Sequence, residues 1–139
     1  MVFKQPGANE FEQVKQFVQD FWLDDTDLQP QQFRVLADNG NVIAFGRLRE
    51  HADATELCTI GVAKDFQNKG FGKEMVSHLI SLARRDVYLV TVIPGFFAKL
   101  GFTKVEQYPL SIKGKIDMCI RDYHVDEPYF VMKWEKKGI

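Results

Sequence analysis

The sequence predicts an α/β fold built on one mixed sheet, and three observations carry that prediction. An apolar run at 33–37, the turn Asp38-Asn39-Gly40-Asn41 and an alternating run at 42–49 read as a hairpin. A further apolar segment, 55–62, leads into a loop with two glycines and then into an amphipathic pattern. Phe71, Met75, Val76, Leu79, Ile80 and Ala83 share one side of that helix. A buried strand pattern, Val87-Tyr88-Leu89-Val90-Thr91-Val92, follows it. A strand, a crossover helix and a strand require a parallel pair, so antiparallel strands are expected first and one parallel pair after them.

The remaining elements fit around this frame. Val2-Phe3-Lys4 reads as a first strand. Phe11, Val14, Phe17, Val18, Phe21 and Trp22 recur at helical spacing and predict a helix over 8–22. Asp24-Asp25-Thr26-Asp27 follows as a loop or cap. The motif helix should end near Arg84-Arg85. A short helix is expected over 94–100, with closing strands at 103–108 and 129–134. Segments 22–32 and 109–127 read as loops.

A chain of 139 residues with 45% hydrophobic and 27% charged side chains has the size and balance of a single domain, 1–139. No run approaches the roughly 20 apolar residues of a membrane span, and residues 1–6 lack a secretory apolar core. The two cysteines, Cys58 and Cys119, are too few for a disulfide framework and are expected as free thiols in a cytoplasmic protein. The net charge of −1 hides an asymmetry. Residues 1–60 carry five Lys/Arg against ten Asp/Glu, and residues 61–139 carry thirteen against nine. The positive half suits a ligand bearing several phosphates, and the acidic half suits the approach of a cationic amine. No basic stripe with interleaved aromatics points to nucleic acid. Cys119 and His124 lack further spaced ligands, so no metal is expected.

The loop Gln67-Asn68-Lys69-Gly70-Phe71-Gly72 is the segment richest in chemistry. Its glycines let backbone approach a ligand closely. The free amides and dipole of the following helix favour an anion there, and Lys64, Lys69 and Lys73 add positive charge. It lacks the Gly-Lys-Ser/Thr ending of the mononucleotide loop. It also lacks the third glycine of the dinucleotide fingerprint. Its spacing, Gln/Arg-x-x-Gly-x-Gly/Ala, resembles the acetyl-coenzyme A pyrophosphate loop of the GCN5-related N-acetyltransferases, the GNAT superfamily. Pro94-Gly95-Phe96-Phe97-Ala98-Lys99-Leu100-Gly101-Phe102 is similar to that family's second signature, a short helix ending in Gly-Phe.

The resemblance implies a GNAT-type acyltransferase fold whose one parallel strand pair splays to admit acetyl-CoA. It implies direct transfer of acetyl to a primary amine of a small molecule or amino acid. Val62, Ala63, Gln67, Asn68, Lys69, Gly70, Phe71, Gly72 and Lys73 would hold the pantetheine and pyrophosphate. The Val62 end of its strand would polarise the thioester, and Phe97 would pack near the sulfur. An alkyl ammonium, with a pKa near 10, must lose a proton before it attacks. Glu56, fourteen residues before Gly70, matches the offset of the base in the histone-acetylating branch. His51 is a substitute base, and His78 and His124 are weaker ones.

The chain departs from the pattern at the acid, because Phe97 stands where many members carry tyrosine. That leaves Tyr88, Tyr108, Tyr123, Tyr129 or water to protonate the thiolate. In this respect residues 91–102 and the run Tyr108-Pro109-Leu110 with Lys113, Lys115, Asp117 and Cys119 look like the amino-acid acetyltransferase and N-acetylglutamate synthase branch. That branch implies a cation for the acceptor carboxylate, with Arg47 and Arg49 the first choices and Lys113 or Lys115 behind them. A non-catalytic acetyl-CoA sensor and a protein-lysine acetyltransferase are the alternative readings. Exposed closing strands could pair between subunits as a homodimer, and the sequence leaves the oligomeric state open.

Overall fold

The computed structural model describes residues 1–137. Seven strands are ordered β1-β2-β3-β4-β5-β7-β6, with β1 at Val2–Lys4, β2 at Phe33–Asp38, β3 at Asn41–Glu50, β4 at Thr55–Val62, β5 at Val87–Thr91, β6 at Thr103–Lys104 and β7 at Phe130–Trp134. The helices are α1 (Ala8–Asp20), α2 (Phe71–Leu82), α3 (Pro94–Ala98) and α4 (Leu110–Asp122). β1 and β2, β2 and β3, β5 and β7, and β6 and β7 pair antiparallel. β4 and β5 pair parallel, and their ladder holds only Thr55↔Val87 and Glu56↔Tyr88. Both strands are longer than this two-pair ladder, as a splayed pair requires. The mixed sheet expected from the sequence is therefore present.

The chain forms two compact units: Met1–Leu48 with Cys58–Leu82, and Arg49–Leu57 with Ala83 onward. In the first, α1 lays Val14 and Val18 against Phe33, Val35, Val42 and Phe45. Phe17 stacks on Phe45, with ring centroids 5.5 Å apart. Gly61 is required on β4, since a Cβ there would run into the Phe45 ring. α1 stops at Asp20, two residues before the expected end. Trp22 then takes φ +55° and stands 83% exposed, so it is not part of the helix's apolar face.

In the second unit Ala54, Ile112 and Val131 form the centre, with Tyr88, Val90, Val105, Tyr108 and Ile116 packed around them. The segment expected as a loop over 109–127 contains α4. Ile112, Ile116 and Cys119 recur at helical spacing along it, and the mid-helix Gly114 and the scattered charges obscure that period. The strand expected over 103–108 is only Thr103–Lys104, because the chain turns toward α4 soon after it. Among the described residues, no helix is long and apolar enough to cross a membrane.

Candidate active site

The first unit carries the glycine loop. A single 3₁₀ turn, Lys64–Phe66, joins β4 to it. The Gln67 side chain folds back and donates to the Val62 carbonyl at 3.0 Å. Asn68 (φ +63°) and Gly70 (φ +89°) adopt left-handed backbone. At Gly70 a Cβ would meet nothing within 4 Å, so the surface beside it is open. Gly70 C=O accepts the first helical bond, from Glu74 N–H at 3.1 Å. The amides of Phe71, Gly72 and Lys73 therefore have no helical acceptor behind them. Phe66 braces the loop by an edge contact with Phe71, and the Lys69 ammonium lies over its ring at 5.7 Å. Gly70, Lys69 and Lys73 line a groove of about 650 Å³ with Phe3, Ser77 and His78. An open concavity of free amides with lysines beside it fits a pyrophosphate. His78 lines the groove with its ring packed against Phe3 at 4.3 Å. Burial, followed by Arg34, holds its pKa below the usual imidazole range.

β4 itself is kinked. Thr59 takes φ +55° in mid-strand, a conformation that costs a β-branched residue of order 1–3 kcal/mol. Its hydroxyl donates to the Asp24 carbonyl (3.0 Å) and accepts from Arg47 Nε (2.9 Å). Residues up to Thr59 are buried, whereas Ile60, Gly61 and Val62 are half-exposed. The kink thus marks the point where the residues of β4 pass from buried to half-exposed.

Arg47 does not stand where an open substrate cation would. It is 0% exposed. Its guanidinium donates to Gln32 Oε1, to the carbonyls of Thr26 and Asp24, and to Thr59, with the Asp24 carboxylate 3.8 Å away. A mid-strand arginine in a buried run needs such partners. The sequence signal was present, but Asp24 lies in a loop whose position no periodicity fixes. Arg49 is half-buried and, among the described residues, makes no ion pair.

The second unit carries Glu56, which is 1% exposed. His51 Nε2 lies 2.9 Å from its Oε1, and Lys115 Nζ lies 2.8 Å from its Oε2. Burial raises the Glu56 pKa, but the Lys115 ammonium, assisted by His51, outweighs it and holds the carboxyl below its usual range. Side-chain exposure is 21% for His51 and 10% for Lys115. The hairpin turn that carries His51 is pinned from outside. Its N–H bonds the Ala54 carbonyl at 2.8 Å. Arg85 donates to the His51 carbonyl, to Thr55 Oγ1 and to Glu50. Asp53 accepts the Ser111 N–H in the first turn of α4 at 3.1 Å, which helps seat the helix that delivers Lys115. Lys115 as a partner of Glu56 was not foreseen, because the period of α4 was not read.

Phe97 is buried, edge-on to Phe96 (5.0 Å) and Phe102 (5.8 Å). It can pack but cannot donate a proton. Tyr129 donates to the Tyr123 carbonyl, and burial pushes its pKa up. Lys113 is exposed and pairs with Asp117 at 3.1 Å on the same helix.

The sequence of residues 4–102 matches the acetyltransferase (GNAT) family. The chain belongs to that family. A GNAT relative, the amino-acid acetyltransferase of Mycobacterium tuberculosis, is 29% identical over 119 residues, which is 82% of this chain and 63% of that protein. This chain thus spans less than two thirds of that relative's length. Among solved GNAT folds, N-acetylglutamate synthase from Neisseria gonorrhoeae, complexed with coenzyme A and N-acetyl-glutamate, superposes with a TM-score of 0.78 at 15% identity. The match covers 99% of this chain and 35% of that one. Rv2747 from M. tuberculosis, in complex with coenzyme A and a second ligand, gives 0.77 at 21% identity and covers 99% and 100%. At these identities the two structures speak for the fold.

Proposed function

We propose that this GNAT chain is an acetyl-CoA-dependent N-acetyltransferase, working as a single domain and acting on a small primary amine, with an amino acid as the favoured acceptor class. The open glycine loop with its free amides carries the proposal. Gln67 to Lys73 would hold the pyrophosphate, Val62 and Ala63 the pantetheine, and Phe97 the apolar end near the sulfur. The accessible end of β4 at Val62 would polarise the carbonyl of the thioester.

Glu56 supplies the negative charge that removal of the acceptor's proton requires. Arg49 is the cation we assign to an acceptor carboxylate. Counting back from the His51–Ala54 bond puts Arg49 across from Glu56 in the hairpin, so both side chains lie on one face. Arg47, sealed on protein partners, is given a positioning role instead. The amino-acid preference draws support from the mycobacterial relative. We assign the enzyme to the cytoplasm, and a homodimer through exposed strands is compatible with the sheet.

The test is thiol release from acetyl-CoA against a panel of amino acids, polyamines, aminoglycosides and lysine peptides, with Glu56→Gln as control. Turnover with amino acids, reduced about 100-fold or more in Glu56→Gln, is expected. Coenzyme A binding with no turnover on any acceptor would instead favour a sensor. Absence of coenzyme A binding would remove the central claim.

A further inference from the structure

We infer that His51, not Glu56, accepts the acceptor amine's proton, with Glu56 and Lys115 as the residues that position and polarise it. The inference rests on the acetyltransferase reading above. Glu56 is 1% exposed, and each of its oxygens faces a cationic or potentially cationic nitrogen within 3 Å. At this exposure the carboxylate is not open to direct contact with an amine. Of the three side chains, His51 has the largest exposed fraction, 21%.

The chemistry is consistent with that geometry. A carboxylate facing Nε2 selects the tautomer with hydrogen on that nitrogen, which leaves Nδ1 as the basic one. A proton taken up at Nδ1 makes an imidazolium whose charge Glu56 stabilises. Lys115 keeps Glu56 ionised through the cycle, so Glu56 orients the ring and need not itself be protonated. One N–H bond of the acceptor ammonium breaks, and that proton moves to Nδ1. The amine nitrogen then bonds the thioester carbon as the carbon–sulfur bond breaks. The second nitrogen-bound proton leaves with the thiolate, and the imidazolium returns the first to water.

The turn is built to hold the ring still. Arg85 donates to the His51 carbonyl at 2.6 Å and ties it to Thr55 and Glu50. The charged groups around His51 are Glu56 and Lys115 behind it, Asp53 within its own turn, and Arg85 with Glu50 beside its backbone.

The experiment compares wild type, His51→Ala, His51→Gln and Glu56→Gln on the acceptor panel over pH 5–9. His51→Ala is expected to lower kcat about 100-fold or more, to leave the KM for acetyl-CoA within about twofold, and to abolish the acid limb of the kcat/KM profile. Added imidazole should restore part of the rate. Nitrogen-15 NMR of the wild type should show His51 protonated at Nε2 at neutral pH, with Glu56→Gln relaxing that preference. A His51→Ala enzyme within about threefold of wild type that keeps its acid limb would overturn the inference, as would an Nδ1–H tautomer. Those results leave the acetyltransferase reading standing. A wild type that turns over no acceptor overturns both.

Discussion

Two charged clusters sit on the same β3–β4 hairpin and are built to opposite ends. The Arg47 guanidinium is 0% exposed. Its hydrogen bonds gather the Asp24–Gln32 loop and lock the kink at Thr59. Around Glu56 the carboxylate is just as buried, but the cluster reaches the surface through an imidazole. The Arg47 cluster ties a loop to a strand, whereas proton exchange is the role we propose for the Glu56 cluster. Burial of a charge therefore does not by itself mark chemistry. What separates the two is whether a titratable member reaches the surface.

Breaking the sealed cluster should have the largest effect on stability. Arg47→Ala removes the hydrogen bonds of a buried guanidinium to Gln32 and to the Thr26 and Asp24 carbonyls and leaves a cavity in its place. It should cost about 3–5 kcal/mol, read as a fall in Tm and in the denaturant midpoint. A variant of near wild-type stability that has lost only amino-acid affinity would return Arg47 to the substrate.

Acid separates the clusters more gently. The Glu56 pKa is lowered in the folded protein, so its pairing stabilises fully above the unfolded carboxyl pKa of about 4.3. That contribution is lost as pH falls through the lower folded value. Wild type should therefore lose stability below about pH 4 through this group, and Glu56→Gln should flatten that part of the curve. Superimposable acid curves for the two proteins would contradict the pairing.

The smallest effect is expected at Thr59→Val, which keeps the β-branched shape but removes the hydroxyl between Arg47 and Asp24. A loss of about 1–2 kcal/mol is expected, read as a fall in the denaturant midpoint; a variant as stable as wild type would contradict the role of this hydroxyl.

Much of this molecule was legible because its signals are local. The glycine loop, α2 and the two flanking strands lie in one run from 55 to 91, where strand, turn and helix periodicities follow each other without a gap. α4 was also written in the sequence, as Ile112, Ile116 and Cys119, but charges and Gly114 diluted the pattern. Trp22 misled because helical spacing cannot say where the backbone leaves the helix.

The mixed α/β sheet, its β4–β5 parallel pair and the family were readable from sequence alone. Each is a property of contiguous residue types and their spacing. Only the tertiary structure decided which charges meet. His51 and Lys115 are sixty-four positions apart, yet both converge on Glu56, and Arg47 is enclosed by a loop more than twenty residues earlier. Such pairings depend on how helices and loops pack, and a side chain's charge carries no record of its partner.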